Sequence, residues 1–167
     1  NVWTGDDGLT LVEMGSYGVI GAITPMTNPP STVVNNSISM VAAGNSVVFN
    51  PHPGSKRVSN ETIRILNQAI VATDGPANVL CSITEPTMES SQAIMKHPQV
   101  KLLCVTGGGG VVKAAMGSGK KCIAAGPGNP PVIVDDTANI KKAAKHIIDG
   151  ASFDNLILCI AEKEVFV

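Results

Sequence analysis

An α/β fold is what this sequence predicts: a Rossmann-like parallel sheet with helices on both faces. Three observations predict it. Short apolar runs alternate with amphipathic stretches; those runs lack the polar alternation of a half-solvated strand; and the connections between them are short and rich in Gly and Pro. Composition agrees with this, since 44% of the 167 residues are hydrophobic but only 3% aromatic, so the core must be assembled from Val, Ile, Leu and Ala.

The elements follow in order. Residues 18–24 form a first apolar strand, and after Pro29-Pro30 a helix is expected over 32–43, capped by Gly44. Residues 46–50 supply a second strand, and Ser59 is the expected cap of a helix that aligns Ile63, Leu66 and Ile70 before Gly75-Pro76 stops it. A strand over 78–83, a helix over 87–96 and a strand over 101–106 run into Gly107-Gly108-Gly109-Gly110, and a helix resumes over 111–116. Further strands are expected at 122–125 and 132–134. A helix carrying Ile140, Ala144 and Ile147-Ile148 on one face is closed by Gly150, and a last strand begins at Glu164.

Charge and cysteine usage exclude several classes of partner. With 12 basic and 13 acidic residues the net charge is -1, which offers no electrostatic footprint for nucleic acid and no basic stripe for a membrane surface. No apolar run approaches the ~20 residues of a membrane-spanning helix, and Asn1 opens a polar stretch, so a soluble, cytoplasmic protein is expected. Cys81, Cys104, Cys122 and Cys159 are widely separated, with no CxxC pair and no His at metal-ligand spacing. They read as reduced thiols, the first three as small buried hydrophobes and none as part of a metal site.

Open parallel sheets bind ligands beyond the carboxyl ends of their strands, which singles out the loops at 24–28, 50–55, 106–110 and 125–129. Gly107 to Gly110 follows a strand and opens a helix, where free N–H groups receive an anion. Yet GxGxxG from Gly107 would need Gly where Val112 stands. A P-loop ending in Gly119-Lys120 fails at Ala114 and Lys121, so that segment reads as a helix C-terminus with lysines at the negative end of its dipole. His52, His97 and His146 suit surface or capping roles, and His52 alone lies in a strand-end loop. Cys159 differs from the other thiols: it falls on the turn between a helix and a strand, where backbone can hold a usable thiolate at the mouth of a cleft.

Several long motifs, in order, resemble the aldehyde dehydrogenase superfamily, and its CoA-acylating acetaldehyde and propionaldehyde branch most closely. They are Gly18-Val19-Ile20-Gly21-Ala22-Ile23-Thr24-Pro25 with Thr27-Asn28-Pro29, then Ala43-Gly44-Asn45 through Pro53-Gly54, and Pro86-Thr87-Met88-Glu89-Ser90. Lys101 through Gly108, Gly128 through Ala138 and the Cys159 segment complete the set, so the resemblance covers essentially the whole chain.

The resemblance implies that Cys159 attacks the aldehyde, that hydride passes to NAD or NADP, and that CoA, as co-substrate, takes the acyl group from the resulting thioester. Asn28, with the Cys159 N–H, would stabilise the oxyanion. Thr24 and Pro25 would lie near the nicotinamide, Asn50, His52 and Pro53 near the adenosine, Thr106, Gly107 and Gly108 near the pyrophosphate, with Gly126 also against the cofactor. Ala124 would stand where hydrolytic members carry their general-base glutamate. It further implies a dinucleotide domain over 1–150, a catalytic domain starting at 151–167, a homo-oligomer, and cargo of a bacterial microcompartment. Departures are Asn50 in place of a lysine, Leu156-Ile157-Leu158 before the cysteine, Gly109 and Pro127. A hydrolytic aldehyde dehydrogenase and an inactive nucleotide-binding fragment remain the alternatives. Starting without Met and stopping within a strand, the chain is expected to belong to a longer protein whose remainder or partner covers an apolar edge.

Overall fold

The computed structural model describes residues 1–167. Five strands form one parallel sheet: β3 (Val19–Thr24), β4 (Ser46–Pro51), β5 (Leu80–Ser82), β6 (Val100–Thr106) and β7 (Lys121–Ala125), in the order β5-β4-β3-β6-β7. Helices α1 (Pro29–Ala42) and α2 (Lys56–Ala72) cover one face, α3 (Met88–Lys96) and α4 (Gly109–Met116) the other. Strand alternation sorts the side chains between two cores. Ala22, Val47, Phe49 and Leu80 meet Val33 of α1 and Ile63 of α2, whereas Ile23, Leu103 and Val105 meet Ile94 and Met95 of α3 and Ala115 of α4. Phe49 is fully buried, and a side chain of that size contributes about 1.5–3 kcal/mol by leaving water. Gly21 of β3 lets α3 approach, since a Cβ there would stand 2.5 Å from Ile94 Cγ2.

Helix ends show where the sequence reading was right and where it slipped. α1 begins at Pro29 rather than at residue 32, because Pro29 and Pro30 occupy the first two helical positions, whose N–H groups have no intrahelical partner. At its other end Gly44 takes φ +76, with Gly44 N–H donating to Val41 O (2.9 Å) and Asn45 N–H to Met40 O (3.0 Å), a Schellman closure. Ser59 is not a cap. It lies inside α2, fully buried with its Oγ unpaired, and the N-cap position belongs to Ser55, because the short turn Pro53–Ser55 leads straight into the helix. α3 is held by a reciprocal cap, Ser90 N–H to Thr87 Oγ1 (3.1 Å) and Thr87 N–H to Ser90 Oγ (2.8 Å). Lys120 does not serve the end of α4 as expected, since its Nζ donates to His97 O and Val100 O, just beyond α3.

Two features lie outside the sheet. β1 (Val2–Gly5) and β2 (Gly8–Leu11) form an antiparallel hairpin that the sequence reading did not expect, turning on Asp6-Asp7 with Gly8 at φ +132. The strand at 132–134 appears as β8 (Pro131–Ile133), but it pairs in parallel with β9 (Glu164–Phe166) through α5 (Ile140–Ser152), apart from the main sheet. α5 runs through Gly150 instead of ending there, and the Glu162 carboxylate packs against that glycine, where a Cβ would collide with it. No helix is long and apolar enough to cross a membrane.

Candidate active site

From β3 the chain builds outward to β4 and β5, then returns to place β6 on the other side of β3. The loops leaving β3 and β6 therefore part at the point where strand order reverses, which is where an open sheet makes a crevice. Two adjoining cavities open there, about 340 and 290 Å³ in volume, sharing Pro25, His52, Thr106, Gly107 and Gly108 in their walls. The first also carries Asn28, Gly126, Cys159 and Lys163; the second carries Thr24, Asn50 and Pro53. The structure thus places along these two walls all eleven residues singled out from the sequence. A larger apolar hollow of about 500 Å³ lies at the opposite, amino end of the strands, lined by Val19, Val48 and Val100, and holds none of them.

One wall of the second cavity carries a residue whose polar group is unpaired. Thr24 Oγ1 is buried, with the residue 2% exposed, and has no hydrogen-bond partner, which is costly unless a ligand or water completes it. Beside it, Gly107 does not offer its N–H to a ligand, because it donates to Ala125 O (3.1 Å) and ties the ends of β6 and β7 together. The donors left at this wall are those of the first turn of α4, at the positive end of its dipole. Asn50 is engaged as well: its Nδ2 donates to Ser91 Oγ (2.8 Å) and its Oδ1 accepts from Ser90 Oγ (2.6 Å), so the side chain fastens β4 to α3. His52 Nδ1 accepts from Gly54 N–H (3.1 Å), which in the neutral ring puts the proton on Nε2. The imidazole then presents a donor to the cleft, not a base.

In the first cavity Asn28 occupies the N-cap of α1 yet makes no side-chain cap. Capping would need the N–H of the second or third helical residue, and the second is Pro30, which has none. The Asn28 Oδ1 accepts instead from Thr27 Oγ1 (3.2 Å), leaving Nδ2 as an unused donor. Cys159 is exposed on the turn before β9, and its backbone N–H makes no intramolecular hydrogen bond. Gly128 packs directly on that turn, since a Cβ at 128 would fall onto the Cys159 carbonyl. Lys163, which the sequence reading did not single out, donates from Nζ to Leu158 O (2.8 Å) and Ala161 O (3.1 Å) and is the only charged side chain of the cleft. Ala124 packs toward the α3/α4 core while Ala125 and Gly126 face the cavity, so no carboxylate lines either cavity.

The other thiols differ from Cys159 in distinct ways. Cys81 is exposed on the edge strand β5, not buried as expected. Cys104 is half-buried, and desolvation pushes its thiol up, with Cys122 adding to the shift; burial alone pushes Cys122 up. Both shifts disfavour the thiolate.

The segment entering the Cys159 turn carries strain. Asp154, Asn155 and Leu156 follow one another at φ +49, +52 and +63. Asp and Asn tolerate the left-handed region, but Leu does not. Replacing Leu156 by Gly is expected to raise stability by about 1 kcal/mol, read as an upward shift of the urea midpoint at unchanged slope. A lowered midpoint would show that Leu156 contributes more by packing than it costs in strain.

The aldehyde dehydrogenase family model matches residues 2–167. Among curated relatives, the acetaldehyde dehydrogenase (acetylating) EutE of Salmonella typhimurium is 54% identical over 167 residues, 99% of this chain and 36% of that protein. Among solved structures, a propionaldehyde dehydrogenase from the Clostridium phytofermentans fucose utilisation bacterial microcompartment is 55% identical with a TM-score of 0.89, covering 99% of this chain and 38% of that one. Rhodopseudomonas palustris propionaldehyde dehydrogenase, with bound CoA and an acylated cysteine, is 53% identical with a TM-score of 0.90, covering 99% and 38%. The chain therefore spans little more than a third of the length of the relatives it matches.

Proposed function

The chain belongs to the aldehyde dehydrogenase family, and on that premise we propose that the protein containing it is a CoA-acylating aldehyde dehydrogenase. It would oxidise a short-chain aldehyde such as acetaldehyde or propionaldehyde to the acyl-CoA. Cys159 Sγ, as the thiolate left when its proton passes to solvent, forms a bond to the aldehyde carbon, and the carbonyl π pair moves onto oxygen. Asn28 Nδ2 and the Cys159 N–H, the two unused donors of the first cavity, receive that charge. NAD(P)+, when bound, would supply the acceptor for the hydride that leaves the same carbon as the oxygen pair re-forms the carbonyl, which leaves a thioester on Cys159. The thioester on Cys159 is then attacked by the CoA thiolate, which expels the Cys159 thiolate and carries away the acyl group.

The second cavity fits the dinucleotide: Thr24 Oγ1 is buried without a partner, and the first turn of α4 offers donors to a pyrophosphate. Pro25, Thr106, Gly107 and Gly108 would wall its phosphates and nicotinamide, His52 would donate from Nε2, Pro53 would flank the adenosine and Gly126 would close the far side. Asn50 would act by holding α3 in place. Strand pairing favours a boundary between the dinucleotide half and the nucleophile-bearing half after Ala125, where β7 ends the sheet, in place of one at residue 150. Homo-oligomerisation and life in the cytoplasm, or as microcompartment cargo, are the corresponding expectations, the last supported by a relative from such a compartment.

One observation carries the choice of CoA over water: no carboxylate lines the cavities, and the one histidine there is turned as a donor. No carboxylate of this chain is placed to take a proton from water there, whereas CoA brings an ionisable thiol of its own. The full-length protein with propionaldehyde and NAD+ is expected to form NADH continuously only when CoA is present, with propionyl-CoA as product. Steady formation of propionate without CoA would assign the hydrolytic reaction. No turnover in either condition would leave a nucleotide-binding module.

A further inference from the structure

We propose that Lys163 is a positioning residue: by gripping the Leu158 carbonyl it aims and polarises the Cys159 N–H, the backbone half of the oxyanion site. The proposal rests on the reading of Cys159 as the nucleophile. Leu158 C=O and Cys159 N–H belong to one peptide unit, planar and trans, so they point in opposite directions along one rigid plate. Whatever fixes the oxygen fixes the direction of the hydrogen. Two donors fix it here, Lys163 Nζ at 2.8 Å and Ala161 N–H at 3.2 Å. A second proton of the same ammonium reaches Ala161 O at 3.1 Å, so Lys163 ties the turn together across Cys159 and Ile160.

The next peptide is fixed from the other side. Gly128 lies against the Cys159 carbonyl so closely that no Cβ fits between them. The plate before the sulfur is thus pulled by an ammonium, the plate after it is stopped by a glycine, and the free N–H stands between them. A charged donor on a carbonyl also draws electron density along the peptide, making the N–H at the other end a stronger donor. Lys163 would therefore act on the reaction through Leu158, without touching the substrate, and its effect would appear only when negative charge develops on the aldehyde oxygen.

That last point gives the test. In the full-length protein, Lys163→Met is expected to lower kcat by roughly 10- to 100-fold, somewhat less than outright removal of an oxyanion donor, with KM for NAD+ and CoA unchanged. Alkylation of Cys159 by iodoacetamide builds no oxyanion and is expected to stay within about twofold of the wild-type rate. Lys163→Arg, which keeps a cationic donor, is expected to restore most of kcat. An unchanged kcat in Lys163→Met would overturn the proposal. So would a parallel fall in turnover, alkylation rate and melting temperature, which would mark a merely structural lysine, and so would an arginine variant no better than methionine. Cys159→Ala, run alongside, separates the two readings: retained turnover there removes Cys159 as nucleophile, whereas a dead Cys159→Ala beside a fully active Lys163→Met removes only the role of Lys163.

Discussion

Cys159→Ala in the full-length protein is expected to lower CoA-dependent NADH formation to background, a loss of at least about 10⁴-fold, the scale seen when a covalent nucleophile is removed. The reason is chemical, since no other group that this chain brings to the cleft is placed to form the bond. Cys104 and Cys122 sit in strands of the sheet, where burial raises their thiols, and Cys81 lies on the far edge strand. His52 presents a donor, and Lys163 spends its ammonium on two carbonyls. Dinucleotide binding is expected to survive, because the walls of the second cavity do not include Cys159. Titration by calorimetry checks this. A variant that still turns over would mean that the sulfur is not the nucleophile; one that also loses the dinucleotide would mean that the two cavities are a single site.

Gly128→Ala is expected to cost about 100-fold in kcat while leaving the sheet intact. The added methyl would meet the backbone carbonyl of Cys159, and backbone cannot rotate aside as a side chain can. Either the 126–129 loop or the Cys159 turn must retreat, and both carry walls of the same cavity. A displacement on the order of 1 Å at a nucleophile is enough for a loss of that size. Gly15→Ala is the matched control, because a Cβ there meets nothing within 4 Å and its φ is ordinary; it is expected to behave as wild type. Full activity in Gly128→Ala would show that the two loops do not need this close approach.

What was legible in the sequence, and what was not, follows from how local each signal is. β3, β4 and β6 were readable because each is an apolar run bounded by Gly, Pro or Asn, and the two-faced core follows from runs that carry no polar alternation. The hairpin β1–β2 was missed because neither of its faces is buried, so Val2, Trp3, Leu9 and Leu11 give no period to follow; the Asp7-Gly8 pair was its one local sign. Ser59 misled because serine suits a cap and a tightly buried helix position equally well. β8 was found as a strand but not assigned to β9, since pairing is a property of two distant segments. The site divides in the same way. Asn28 and Cys159 stand out by residue type and motif, whereas Lys163 acts through a carbonyl brought to it by the shape of a turn, and Gly128 through a gap that only the assembled loops define.

The strand order has a further meaning for how the molecule comes into being. β3 finds one neighbour early in β4, but its other neighbour, β6, begins at Val100. At synthesis rates of about 5–20 residues per second, the second edge of β3 stays bare for several seconds while α1, β4, α2, β5 and α3 emerge. The central strand of the finished sheet is thus an open edge in the nascent one, able to pair with a wrong strand. The crevice cannot exist before this long-range closure, because one of its two lips leaves β6. Recovery of the binding site on refolding is therefore expected to follow the slow, non-local pairing step and to lag behind the return of helix signal.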